Sequence, residues 1–404
     1  MAKKLLNKNY VLLLQGSAVS TLGDLMYSVA IGYWVYEKTG SSALMGIMSS
    51  ISMFITMFLS PFSGSVIDKC NRKWVLVLGD FFQSAIMITV GVFAYMNKLN
   101  VAGVLIAAFL AALGGVFYAP AANTSLVDII PRDDMVRGQS LFSGVNSTVN
   151  MVGTAFSGVL VAFLGVPLVI VINGLSNAYA AISELFITIP KSVQEGEAVT
   201  VKGVLQDTKS AVKEIAENPQ LRLFIPFLIV INLLSAGVFA LILPFVLEKG
   251  FVVEQYGYLM TVWTVASLTA ALILGVLKLK PKARFRAMGV SFCLSCVFLV
   301  LTFLSKNFIL TCAMAFLAGF TNTVGNTVFN AALMLALPEK NRGVIMGFVS
   351  SASVGGTALS ALIYGFLGEI FPLYIVFTAG NLISLIPMIY FVSHKQTKEF
   401  ILNN

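Results

Sequence analysis

The sequence predicts an all-α integral membrane protein, with twelve transmembrane helices in two duplicated six-helix halves. Three observations carry that expectation. Of the 404 residues, 58% are hydrophobic and 11% charged, and the mean hydropathy is +0.90. A soluble domain has about 25% charged residues, so this chain has too few polar groups to cover a core. That excludes a soluble enzyme and, despite the net charge of +8, a nucleic-acid-binding protein. At roughly 20 residues per crossing, the apolar residues account for about twelve spans. The second observation is the segregation of the 26 lysines and arginines. All except Lys38, Lys98, Lys249 and Lys306 fall in the N-terminus, the loops after every second span and the C-terminus. Basic residues collect on cytoplasmic loops, so both termini are expected in the cytoplasm. The third is an internal repeat. The stretch from Asn123 to Gly165 aligns with that from Asn330 to Gly368. Pro131 then matches Pro338, Arg137-Gly138 matches Arg342-Gly343, and Gly153-Thr154-Ala155 matches Gly356-Thr357-Ala358.

The spans are expected near 10–36, 42–67, 74–96, 100–125, 139–164 and 166–189, then 221–247, 255–277, 287–305, 308–336, 343–370 and 372–392. In the first, Ser17, Ser20, Thr21, Asp24, Tyr27 and Ser28 recur at three- and four-residue intervals and share a face. An acid at its middle and the lack of a small-x-small end argue against a cleaved signal. A charge at mid-membrane costs about 2.5–3.5 kcal/mol, so Asp24 should face a wet cavity or a partner. It is read as a proton site, a counter-ion for a cationic substrate, or a structural hydrogen-bonding group. The second span leads into a short basic loop. Asp80, early in the third, and Asp128, ending the fourth, are expected to pair with loop bases such as Arg132 or Arg137. The fifth carries Asn146 and Asn150, weaker candidates for cavity lining. Glu184, near the cytoplasmic end of the sixth, is a second candidate for proton coupling.

The longest cytoplasmic loop follows. Val201, Leu205, Thr208, Val212 and Ile215 recur there at helical spacing with Lys202, Lys209 and Lys213 between them. That pattern suits a basic amphipathic helix on an anionic leaflet, ended at Asn218-Pro219. The expected organisation is therefore 1–189 as the first half, 190–220 as a linker holding this helix, and 221–404 as the second half. Asn232 marks the seventh span. Trp263, in the eighth, is placed to stack on a flat or cationic substrate. Cys293 and Cys296, in the ninth, read as small packing residues. The tenth holds Asn322, Asn326 and Asn330 at four-residue steps. Asn322 and Asn326 are candidate cavity lining, the alternative being hydrogen-bonded helix packing. One histidine, His394, and the lack of a glycine-rich phosphate loop leave no metal site, no cofactor and no ATP site in view.

After the second span the chain reads Gly64-Ser-Val-Ile-Asp68-Lys69-Cys-Asn71-Arg72-Lys73. This resembles the loop signature of the major facilitator superfamily, with Asn71 in place of the second glycine. The twelve-span duplicated layout extends the resemblance over the whole chain. In that family the acid meets the N-terminus of the eleventh span, here near Gly343, and holds the cytoplasmic side closed. The resemblance thus implies a conformational latch of Gly64, Asp68, Lys69, Arg72, Lys73 and Gly343. The equivalent loop of the second half has Leu279 where the acid would stand.

Leu22 to Met48 and Glu217 to Phe224 are similar to the macrolide-efflux branch of drug:proton antiporters. Gly153-Thr154-Ala-Phe-Ser157-Gly158 resembles the antiporter motif of the fifth span, with Thr154 in place of proline. The fourth-span arginine of many such antiporters is absent. The resemblance implies a bacterial cell (inner) membrane protein, monomeric, that exports small amphipathic substrates such as macrolides against protons by alternating access. Ser20, Asp24, Tyr27, Asn146, Asn150, Asn232, Trp263, Asn322 and Asn326 would bind substrate, and Asp24 and Glu184 would couple protons. The 31 Phe and 16 Met would supply an adaptable apolar wall. Two alternatives stay open. A lysophospholipid or siderophore exporter would show headgroup- or chelate-dependent transport. A non-transporting sensor or scaffold would show no flux and no effect of Asp24→Asn.

Overall fold

The computed structural model describes residues 6–131, 134–189, 201–277, 280–337 and 342–403, and among these the chain is helical with no strand. The helices are α1 (Lys8–Thr39), α2 (Ser42–Lys69), α3 (Arg72–Tyr95), α4 (Val101–Ile129), α5 (Met135–Leu164), α6 (Val166–Leu185), α7 (Val201–Glu217), α8 (Leu221–Ser235), α9 (Gly237–Ala240), α10 (Ile242–Glu248), α11 (Val253–Val276), α12 (Pro281–Leu304), α13 (Phe308–Ala336), α14 (Arg342–Ile370), α15 (Leu373–Ser393) and α16 (Lys395–Asn403). Among the described residues, eleven helical segments are long and apolar enough to cross a membrane. The expected twelfth is α1. Its 32 residues reach about 48 Å at 1.5 Å each, but its polar face keeps it below that apolarity.

Local chemistry sets the ends. Asn7 starts α1 by accepting the Tyr10 N–H at 3.0 Å, Asn100 starts α4 by accepting that of Gly103 at 2.8 Å, and Asn307 caps α13 through Ile309 and Leu310. Between α5 and α6 the chain turns on Gly165, at φ 78, a left-handed conformation that a side chain would strain.

The seventh span departs from the continuous 221–247 helix expected. It breaks at Ala236 and Leu241 into α8, α9 and α10. Pro244 explains the second break. It has no N–H for the Ala240 carbonyl, and its ring crowds that carbonyl. The freed groups find partners on α14: the Tyr364 hydroxyl donates to the Leu234 carbonyl, and the Gly237 N–H donates to Ser360 Oγ at 2.9 Å.

The chain forms two compact units, Met1–Gly40 with Phe54–Thr200, and Ser41–Met53 with Val201–Asn404. In the first, α6 packs on α3 and α1, α1 packs on α5, and α3 packs on α4. In the second, α15 packs on α12 and α8, α8 packs on α14, and α12 packs on α13. These are the same four pairings, counted by span, which is how the sequence repeat is expressed in three dimensions. The α3–α6 approach is close. A Cβ on Gly174 would stand 2.9 Å from the Ile88 amide nitrogen.

The helix expected in the linker exists as α7, and residues 190–200 lie outside the described residues. It packs through Ala211 and Ile215 on a core containing Leu221, Phe224, Phe227, Phe329 and Phe391. Phe227 and Phe391 stack there at 4.1 Å. Val212, expected on the same apolar stripe, is exposed.

Candidate functional site

The polar face of α1 lies antiparallel against α6, and side-chain bonds fix the register. Asn9 Nδ2 donates to the Thr188 carbonyl at 2.8 Å and Asn9 Oδ1 accepts the Thr188 N–H at 3.2 Å. Two turns on, Ser183 Oγ donates to the Leu12 carbonyl at 3.0 Å and receives Gln15 Nε2 at 3.3 Å. This register brings Asp24 against the amides of Asn173 and Asn177. Asn177 Nδ2 also donates to Asn173 Oδ1 at 3.0 Å. Those asparagines continue a buried stripe of α6 that runs through Ala180 and Ala181 to Glu184, a spacing of one helical face.

Beside Asp24 lies a cavity of about 270 Å³ contained in the first unit. Its wall takes Ser17, Ser20, Thr21 and Asp24 from α1, Asp80 and Gln83 from α3, Tyr118 and Asn123 from α4, and Asn177 from α6. Asp24 is open to this space while standing deep in the protein. Asp80 is 3% exposed and Glu184 0%. The Tyr118 hydroxyl donates to Glu184 Oε1 at 3.0 Å. Asp80 Oδ2 and Glu184 Oε2 have no hydrogen-bond partner. No lining residue is basic, so the field inside favours a cation.

A second, smaller cavity of about 80 Å³ lies in the second unit. It is apolar and aromatic, with Phe239, Phe245, Trp263 and Phe303 on its wall and Ser235, Thr302, Asn322 and Asn381 as its polar points. Phe239 meets Trp263 edge to face at 5.3 Å. Asn326 Nδ2 donates to Asn322 Oδ1 at 2.9 Å, which fixes the amide that faces the cavity. Such a chamber suits a flat apolar group, with the amides orienting it.

Among the residues singled out from the sequence, Ser20 and Asp24 share the first cavity, and Glu184 stands behind its wall on Tyr118. Trp263 and Asn322 share the second cavity, with Asn326 behind. The Tyr27 hydroxyl is buried and has no hydrogen-bond partner. Asn146, Asn150 and Asn232 donate to carbonyls of their own helices, at Phe142, Asn146 and Leu228. In the latch motif, Arg72 is half-buried and forms an ion pair with Asp128, and Lys73 is half-buried. Gly64 lies on α2 and Gly343 on α14, and the side chains of Asp68 and Lys69 are outside what the structure describes.

Asp128 forms an ion pair with Arg72 across the α3–α4 packing, because α3 starts at Arg72 beside the end of α4, and the Arg132 expected beside it lies outside the described residues. One expectation is corrected. Among the described residues Asp80 forms no ion pair. It lies two turns further along α3, on the buried stripe Leu76-Val77-Asp80-Ser84, which carries it into the cavity. Tyr118, Gln83, Asn173 and Asn177 were missed. The signal for the last two was their four-residue step on an apolar span, in phase with Glu184.

Comparisons with known proteins agree with this architecture. The sequence model of the Major Facilitator Superfamily matches residues 13–252 and 226–402. Over 176 residues the chain is 24% identical to macrolide efflux protein A of Streptococcus pyogenes, a match covering 44% of each chain. Over 160 residues it is 26% identical to the multidrug efflux pump Tap of Mycobacterium bovis, covering 38% of each. The chain therefore spans less than half the length of these two curated relatives. A solved bacterial homologue of the human lysosomal transporter Spinster superposes with a TM-score of 0.70 at 14% identity, over 98% of this chain and 97% of that one. That likeness shows the fold.

Proposed function

This chain belongs to the major facilitator superfamily, and from that premise we propose that it is a secondary transporter exporting amphipathic, cationic compounds such as macrolides in exchange for protons. The observation that carries the reading is Asp24, an acid opening onto an oxygen-lined cavity with no base on its wall. Such a group binds a cation or a proton and must release one to take the other. The names of the efflux relatives, a macrolide exporter and a multidrug pump, point the same way.

In this reading Asp24 and Ser20 meet the positive head of the substrate, with Tyr27 beside them. Trp263, Asn322 and Asn326 receive a flat apolar part, and Asn146, Asn150 and Asn232 line the path. Protons exchange at the carboxyls of the first unit, Asp24 and Glu184 among them. The halves 1–189 and 221–404, joined by 190–220, give alternating access about the site. The motif Gly64, Asp68, Lys69, Arg72, Lys73 with Gly343 latches the cytoplasmic side. The protein works as a monomer in a bacterial inner membrane with both termini inside the cell.

The test is flux of macrolides and cationic dyes in proteoliposomes under an imposed pH gradient, with wild type and Asp24→Asn side by side. Gradient-driven flux in the wild type that is lost in a folded Asp24→Asn protein is the expected result. No flux of any compound in the wild type would overturn the exporter reading. Equal flux in both would keep the exporter and remove Asp24 from its mechanism.

A further inference from the structure

Asp80 has an environment that a structural acid does not need. It is 3% exposed, it reaches the polar cavity of the first unit, and its Oδ2 has no hydrogen-bond donor. The titratable groups around it are Asp24 from α1 and Tyr118 from α4, which line the same cavity, and Glu184 from α6, held by Tyr118. From α5 the cavity wall receives Phe142. The bases on its own helix, Arg72 and Lys73, lie eight and seven residues back, and Arg72 is held by Asp128.

Glu184 is in the same condition. Tyr118 satisfies its Oε1, and its Oε2 has no donor. Carboxylate oxygens can only accept hydrogen bonds. Two buried carboxyls therefore present unsatisfied acceptors, one on the cavity wall and one behind it on Tyr118, and among the described residues neither has an ion pair with a base. A buried acid in that position is stable only if something brings it a donor or a positive charge. Among the described residues no group of three His, Cys, Asp or Glu is arranged to hold a metal ion. A proton on one of the acids supplies the missing donor.

Building on the exporter reading, we propose that Asp80 and Glu184, with Tyr118 beside them, form a proton-carrying pair that works alongside Asp24, where substrate and proton compete. In the loading step a proton from cavity water bonds to a carboxylate oxygen of the pair, whose charge becomes less negative by one. In the releasing step the same O–H bond breaks and the proton returns to water. No electron is transferred. Tyr118 lines the cavity with Asp80 and donates its hydroxyl hydrogen to Glu184 Oε1, so it touches one acid and shares a wall with the other. A single pair thus couples α3, α4 and α6, while Asp24 on α1 remains free to exchange ligands.

The experiment has two arms on the full-length protein. In the first, infrared difference spectra across a pH change are recorded on wild type, Asp80→Asn, Glu184→Gln and Asp24→Asn, each checked for folding by size-exclusion chromatography. The expected result is a C=O stretch of a protonated carboxyl that disappears in Asp80→Asn and in Glu184→Gln, persists in Asp24→Asn, and returns in Asp80→Glu. Absence of the band in wild type, or its persistence in both pair variants, overturns the proposal.

In the second arm, cationic-dye flux is followed in proteoliposomes. Asp80→Asn and Glu184→Gln should fall to the rate of protein-free vesicles under a pH gradient, yet continue dye-for-dye exchange at equal pH. Asp24→Asn should lose both. Gradient-driven flux retained in Asp80→Asn, or flux that follows sodium and ignores pH, overturns the proposal. A carboxyl band with the expected variant pattern but no dye flux in wild type supports proton holding by the pair and overturns the exporter reading alone.

Discussion

Acids and bases are scarce in this chain, and each reports its surroundings differently. Asp24 announced itself in the sequence, because hydroxyl residues recur around it at helical spacing. Asp80 did not. It sits early in the third span, where a loop base such as Arg132 or Arg137 is the expected partner, and only the packing of α3 on α6 turns it inward. Outside the spans, Lys249 shows the opposite balance. Burial pushes its ammonium down to about 8 from the ordinary 10.5, with Glu248 opposing the shift. Its amine donates to the carbonyls of Thr302 and Ser305 and sits 4.7 Å above the Phe245 ring. The folded protein thus sheds this proton before the unfolded chain does. Stability should rise with pH between about 8 and 10.5, and be flat with respect to this group below 8. Thermal unfolding of wild type and Lys249→Met across that window measures it. The rise belongs to wild type, and an equal rise in the variant would assign it elsewhere.

At the scale of elements, α6 is the spine of the first unit. One stripe carries Asn173, Asn177 and Glu184 to the site, and a glycine lets α3 close on it. Gly174→Leu drives a branched side chain into the Ile88 backbone, where a Cβ alone would lie at 2.9 Å. Overpacking of this kind costs about 1–3 kcal/mol. The expected outcome is a lower unfolding temperature together with loss of gradient-driven flux, since Asp80 and Glu184 would be moved apart. Unchanged stability would mean that α3 and α6 can slide. Most element positions were legible from hydropathy and charge, because a membrane imposes span length and basic loops. The broken seventh span was not, although Pro244 marks its second break. Hydropathy averages over a proline, whereas the hydrogen-bond ladder does not. Partners across helices, such as Tyr118 with Glu184 or Arg72 with Asp128, depend on rotation and register. The sequence expresses these only through pairs of distant residues.

For the molecule as a whole, the repeat gives two units with the same helix pairings and different interiors. One has an acid-lined cavity and the other an aromatic one, so duplication has preserved packing while the chemistry diverged. The segment that joins the units is anchored to the second by Ala211 and Ile215. Ile215→Asp replaces an apolar contact worth about 1.5–3 kcal/mol and should release α7. Trypsin should then cut at Lys209 and Lys213 about tenfold or more faster, and an unchanged rate would mean that α7 is held by other contacts. The partnership of α1 with α6 has a consequence in time. Asp24 emerges from the ribosome 149 residues before Asn173, a delay of roughly 7–30 s at the usual pace of synthesis. Until then the least apolar long helix of the chain must wait without the amides that face its acid. A nascent chain halted before α6 should therefore hold its first helix loosely, and the insertion machinery becomes a temporary stand-in for the sixth.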